Sequence, residues 1–221
     1  MKKLASTATL TLILLLASIS ETNAKTIADW QPTTNLDPAE LDLLNETLSS
    51  GDPRVLEFKF TPYWSGDRLE GCGYTFRVLM KDRANQSNQP LVAHGSIAYF
   101  STKDSVPYLS FRIGLKDIKQ HNNRIWERNA AVHYAYLRFG DKSLKGKEYA
   151  TASGKNEAVT FKYHDSEKDK LMTWLSIPET LSIRFNREQN DTELHFDLSV
   201  LNHKEAWSDQ SNCYRELTFG Q

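Results

Sequence analysis

The chain of 221 residues has two cysteines, three methionines and ten glycines. Nowhere does it run through the roughly 20 consecutive apolar residues that a membrane-spanning helix needs. So few cysteines exclude a disulfide-dense small scaffold and a four-thiolate zinc site. Sparse, unperiodic glycine excludes a collagen-like or low-complexity fibre. Charge of neither sign prevails, since 27 lysines and arginines face 28 aspartates and glutamates for a formal net charge of −1. A general nucleic-acid binder would need clustered cations to displace counterions from phosphates, whereas these charges are interspersed along the chain. Signatures of common chemistries are missing too. There is no GxSxG elbow, no GxxxxGK[ST] or GxGxxG phosphate cradle, no HExxH pair and no CxxC. No cofactor and no metal are expected.

What is there begins with an address. Lys2 and Lys3 precede an apolar run centred on Leu12, Ile13, Leu14, Leu15 and Leu16, and small and polar residues follow as far as Ala24. A positive start, an apolar stretch of about ten residues and a small exit residue make a secretory signal. Residues 1–24 are therefore read as a cleaved signal peptide, with Ser18, Ser20 and Glu21 interrupting the run too early for an anchor. Cysteine is absent from the exit, and so is an arginine pair, which argues against lipidation and the twin-arginine route. The expected location is the bacterial periplasm or the extracellular space. Cys72 and Cys213 both follow the leader and would meet an oxidising environment, so a disulfide between them is expected. In the chain-entropy account a loop of that length is worth about 5 kcal/mol.

Residues 25–35 are polar and irregular and read as a flexible arm; residues 36–221 read as a single domain. Asp37, Pro38 and Glu40 supply a cap, a first-turn proline and an acid at the spacing that starts a helix, and Leu41, Leu44 and Leu48 continue it to Gly51. Beyond Pro53 the apolar period falls to two. Leu56, Phe58 and Phe60 alternate with Glu57 and Lys59; Cys72, Tyr74, Phe76, Val78 and Met80 form a second face. Further strands are expected over 91–101, 109–115, 130–139, 158–163, 171–177, 181–185 and 193–201. The stretch 165–175 has a helical alternative, and 203–217 could close the chain as a helix. Many short strands separated by polar turns predict an all-β, mainly antiparallel fold: a β-sandwich or jelly roll, with a closed barrel as the alternative.

Candidate chemistry is sparse. His195 and Asp197 share one face of a strand at a ligand-compatible spacing, but no second pair accompanies them. His133 falls on the apolar face of the 130–139 strand and reads as a half-buried structural histidine. Glu57, Glu70, Asp104, Glu127 and Asp197 lie in or beside strands, where acids usually solvate the outward face; a glycosidase would need two of them across a cleft. Aromatic residues are more suggestive. Tyr63 and Trp64 precede the turn Ser65-Gly66-Asp67, Trp126 falls in a polar stretch 122–128 read as a loop, and Tyr134 and Tyr136 share a strand face with Arg138. Rings in such places stack on a sugar or anchor a protein partner. The expectation is an exported, non-enzymatic binding protein that recognises a protein or a glycan through Tyr63, Trp64, Trp126, Tyr134 and Tyr136. The alternatives are a carbohydrate-active hydrolase with paired carboxylates and a structural subunit of an envelope assembly.

Overall fold

The computed structural model describes residues 30–32, 38–84, 89–102, 105–121, 124–149, 158–176, 180–187, 192–199 and 204–219. The segment read as a leader lies outside them. In chain order the elements are β1 (Gln31–Pro32), α1 (Pro38–Ser50), β2 (Arg54–Ser65), β3 (Arg68–Lys81), β4 (Pro90–Phe100), β5 (Tyr108–His121), β6 (Arg124–Ala130), β7 (Tyr134–Phe139), β8 (Lys142–Leu144), β9 (Lys147–Tyr149), β10 (Val159–Tyr163), α2 (Asp165–Ser176), β11 (Leu181–Asn186), β12 (Leu194–Leu198) and α3 (Lys204–Phe219).

Strands β2 to β6 run as an antiparallel meander, in sheet order β1-β6-β5-β4-β3-β2, with β10 on β5 beyond the reach of β6 and β9 on β10. The second sheet has the order β12-β11-β7-β8. The protein is a two-sheet antiparallel sandwich; neither sheet closes into a barrel, and consecutive neighbours replace the crossing connections of a jelly roll. Two hairpins use a two-residue turn with glycine first, Gly66 at φ 60° and Gly140 at φ 50°, a backbone conformation that glycine adopts without steric penalty.

The core lies between the sheets. Tyr74, Phe76, Val78 and Met80 of β3, Phe111, Ile113 and Leu115 of β5, and Phe161 of β10 meet Leu137, Ile183, Phe185, Leu194 and Phe196 of the smaller sheet. Each strand contributes every second residue, as the pleat requires. At one end α3 closes the sandwich. A disulfide joins Cys72 to Cys213, with Cα atoms 6.1 Å apart, among Leu69, Leu217 and the rings of Phe60, Tyr99 and Tyr214. Beside it the Tyr74 hydroxyl donates to Gln210, which in turn donates to the Tyr214 hydroxyl at 3.1 Å. On the opposite face of the large sheet α1 lays Leu44 and Leu48 against Leu79, Val92, Ile118 and Ile125.

The structure corrects several expectations. Of the expected loop 122–128, residues 124–128 are strand: Arg124–Ala130 form β6, Gln31–Pro32 of the arm pair with it as β1, and the Trp30 ring lies 5.0 Å from the Lys119 ammonium and 4.9 Å from the Arg128 guanidinium. The expected strand over 130–139 is broken at 131–133, where the chain leaves one sheet for the other, and His133 is exposed in that crossover, its N–H bonded to the Asn186 carbonyl. Residues 171–176 belong to α2, with Leu171 in the core. A bulge between Val55 and Glu57 turns Leu56 away from Phe58 and Phe60 and toward α1.

Candidate functional site

Three places bring functional side chains together. The first is the outer face of the large sheet. Strand registers place Tyr63, Gly71, Phe100 and Tyr108 in one row across β2, β3, β4 and β5. Tyr63 and Phe100 have ring centres 5.1 Å apart, and Phe100 and Tyr108 stack at 5.3 Å. Gly71 makes this possible, because a Cβ there would come within 2.6 Å of the Phe100 ring and 2.8 Å of the Tyr99 carbonyl. Lys162 of β10 reaches over the Tyr108 ring at 4.3 Å, so that ring is flanked by β4 on one side and β10 on the other. All three rings are half-buried. They form a ridge across the strands.

Beside the ridge the face drops to short side chains. One row reads Thr61, Gly73, Ala98, Ser110 and the next Lys59, Thr75, Ser96, Arg112, Thr160. The Thr61 and Thr75 hydroxyls face each other at 3.4 Å. Next come Glu57, Arg77 and His94. Lys59 pairs with Glu57 and Lys116 with Glu127, each at 2.5 Å, whereas Arg77 and Arg112 have no carboxylate partner among the described residues. Burial first, then Lys116, Arg112 and Arg77, hold the His94 imidazole below its ordinary pKa, with Glu127 pulling the other way. The ring stays neutral at neutral pH beneath a cationic surface.

The second place is the outer face of the small sheet. Tyr134 and Tyr136 point away from the core residues Ala135 and Leu137, with rings 5.6 Å apart, and Lys145 lies 5.8 Å over Tyr134. The Tyr136 hydroxyl donates to Glu193 at 2.6 Å, and Arg184 reaches the other carboxylate oxygen at 2.5 Å. Burial works against the Glu193 carboxylate, but hydrogen bonds from Tyr136 and Arg184 outweigh it and hold the carboxyl below the ordinary range. Burial and the bond to Glu193 raise Tyr136.

The third is a cavity of about 450 Å³ where the edge strands β2 and β12 diverge, lined in part by Asp52, Lys81, Arg83, Glu193, His195 and Asp197 over the core residues Val78 and Phe196. Its cations are largely occupied: Arg83 donates to the Gly51 carbonyl at 2.9 Å and Lys81 to the Leu48 carbonyl at 3.3 Å. Glu193 belongs to the Tyr136–Arg184 cluster. Among the described residues no three His, Cys, Asp or Glu side chains converge as a metal would require.

The carboxylates named for a hydrolase do not come together. Glu57 and Glu127 are ion-paired on the large sheet, Glu70 pairs with Arg68 at 2.5 Å, Asp197 lines the cavity, and Asp104 lies outside the described residues. The closest to a buried acid pair is Asp82 and Asp117, both bridged by Arg187, with Arg128 on the second oxygen of Asp117 at 2.8 Å. Arg187 and Arg128 together balance the two buried carboxylates, which suits a structural tie between β3, β5, β6 and the end of β11.

Of the five aromatic residues singled out from sequence, Tyr63 stands on the ridge. Trp64 is 53% exposed at the tip of its hairpin, beyond the bulge, and is paired in register with the buried Leu69 on the α3 side. Trp126 is on β6 with Pro32 and Lys119 as register neighbours, its ring nitrogen buried. Tyr134 and Tyr136 share the other sheet. Phe100, Tyr108, Arg77 and Arg112 were not singled out, and only the registers of β3, β4 and β5 reveal them. Comparison with protein-family models, curated proteins and solved structures returns no match.

Proposed function

We propose that the protein is an exported, non-enzymatic binding protein whose ligand lies across the outer face of the large sheet. The observation that carries this reading is the half-buried ridge Tyr63–Phe100–Tyr108, built by cross-strand register and by the vacancy at Gly71, beside a shelf of short, half-buried hydroxyl side chains. Exposed aromatic rows on a rigid sheet provide contact area with little conformational entropy to lose. The Cys72–Cys213 bond supports an oxidising compartment. Against a hydrolase stand the ionised, paired state of Glu193 and the Arg187 bridge between Asp82 and Asp117, since a general acid needs a raised carboxyl facing a cleft.

The test is to probe an immobilised panel of polysaccharides and envelope proteins with the mature chain, with a Phe100→Ala/Tyr108→Ala variant and with a Tyr134→Ala/Tyr136→Ala variant. Retention of at least one panel member that falls in the first variant and persists in the second is expected. Loss in the second variant alone would move the site to the small sheet. Release of reducing sugar from a retained polysaccharide would make the protein an enzyme.

A further inference from the structure

We infer that the ligand of this face is an acidic polysaccharide, one whose sugars carry carboxylate or sulfate groups; the inference rests on the binding reading above and adds the chemistry of the ligand. Three observations lead there. The first is charge. The chain as a whole has a formal charge of −1, yet the residues facing outward from β2, β3, β4, β5, β6 and β10 between the ridge and α1 hold five cations (Lys59, Arg77, Arg112, Lys116 and Lys162) against Glu57 and Glu127. Arg77 and Arg112 are exposed and lack a carboxylate partner among the described residues. Their field is felt at His94, lowered by Lys116, Arg112 and Arg77 after burial. An excess of cations on one face of a near-neutral protein attracts a polyanion.

The second observation is the floor. Thr61, Thr75, Ser96, Ser110 and Thr160 line the shelf with hydroxyls that both donate and accept, a match to the hydroxyls of a sugar chain. The third concerns what the face withholds from other polyanions. Arg77 and Arg112 stand on β3 and β5, which like β4 between them are hydrogen-bonded on both sides, so an acidic peptide extending the open edge of β2 would lie away from those two arginines. The Tyr108 ring lies between Phe100 and Lys162, which leaves it no open face for a nucleic-acid base. A sugar chain needs neither; it can lie across the strands along the shelf with its acid groups at Arg77 and Arg112.

Titration calorimetry with four probes tests this: alginate, a neutral dextran of similar length, poly-glutamate and single-stranded oligothymidine. Alginate is expected to bind, to weaken as salt rises from about 50 to about 200 mM, and to bind about tenfold less tightly to an Arg77→Gln/Arg112→Gln variant, as the loss of roughly two surface charge contacts implies. Dextran, poly-glutamate and oligothymidine are expected to bind at least about tenfold more weakly. Tighter binding of poly-glutamate or oligothymidine, or equal binding of dextran with no effect of the arginine variant, would overturn the acidic-sugar assignment; a Phe100→Ala/Tyr108→Ala variant that still abolished that binding would leave the face itself standing. Alginate binding indifferent to both variants, or absent, would overturn the assignment, and indifference of every bound probe to the ring variant would remove the face as well.

Discussion

The two faces of the large sheet are written by alternate residues of the same strands, and they have opposite fates. On the inner face Tyr74, Phe76, Phe111, Ile113 and Phe161 are closed off by the smaller sheet and α3. On the outer face α1 covers only the end bearing Leu79, Val92, Ile118 and Ile125. The remainder alternates hydroxyls, cations and half-buried rings. A sheet that needed only solubility would place charged and polar residues there and keep rings inside. The retention of Tyr63, Phe100 and Tyr108 on the wet side, with Gly71 opened to seat them, separates the face that makes the fold from the face available to a ligand.

The contrast can be broken at the disulfide, which belongs wholly to the inner side. Cys72→Ala/Cys213→Ala is expected to lower stability by about 3–5 kcal/mol, read from chemical denaturation, while leaving ligand retention by the folded fraction unchanged. A paired truncation sharpens it. Phe111→Ala removes a fully buried ring and should destabilise by about 3–5 kcal/mol. Phe100→Ala should shift stability by about 1 kcal/mol or less and act mainly on binding; equal losses at both positions would erase the distinction. The smallest expected effect concerns the inner tyrosines. Burial pushes Tyr74 and Tyr163 far above the usual phenol value and Tyr214 up to about 12. The unfolded chain loses these protons near pH 10 while the folded chain keeps them, so stability falls as pH rises above about 10. The Tyr163 hydroxyl is buried with no hydrogen-bond partner among the described residues. Tyr163→Phe should therefore gain about 1 kcal/mol at neutral pH and flatten the alkaline decline, both read from thermal unfolding across pH.

Much of the inner face was legible in the sequence because its chemistry is uniform. Leu194 to Leu198 alternate without exception and Cys72 to Met80 do so but for Leu79, which packs under α1, and the pleat turns that pattern directly into a buried side. Strand β6 was hidden because its inward positions carry Trp126 and Arg128, the latter in a polar cluster with Asp117 and Arg187 that no apolar period announces. The 130–139 stretch misled for the opposite reason: its alternation continues while the chain changes sheets, and periodicity does not record which partner a strand chooses. Leu56 was displaced by a bulge. For the candidate site, Tyr63 could be seen from its position before a glycine turn, whereas Phe100 and Tyr108 are ordinary strand aromatics until the register sets them beside it. Trp126 misled because a tryptophan among charges looks like a loop and here is a strand residue next to an ion-paired wall.

The separation of 141 residues between Cys72 and Cys213 has a consequence for the order of assembly. Each strand from β2 to β6 pairs with the next in sequence, so that meander can form early from residues 54–130 while the Cys72 sulfur is still a thiol. Its partner arrives last, on α3. Until then Cys72 is an unpaired thiol at one end of the meander, and a cysteine of another copy is the wrong mate that docking of the final helix forestalls.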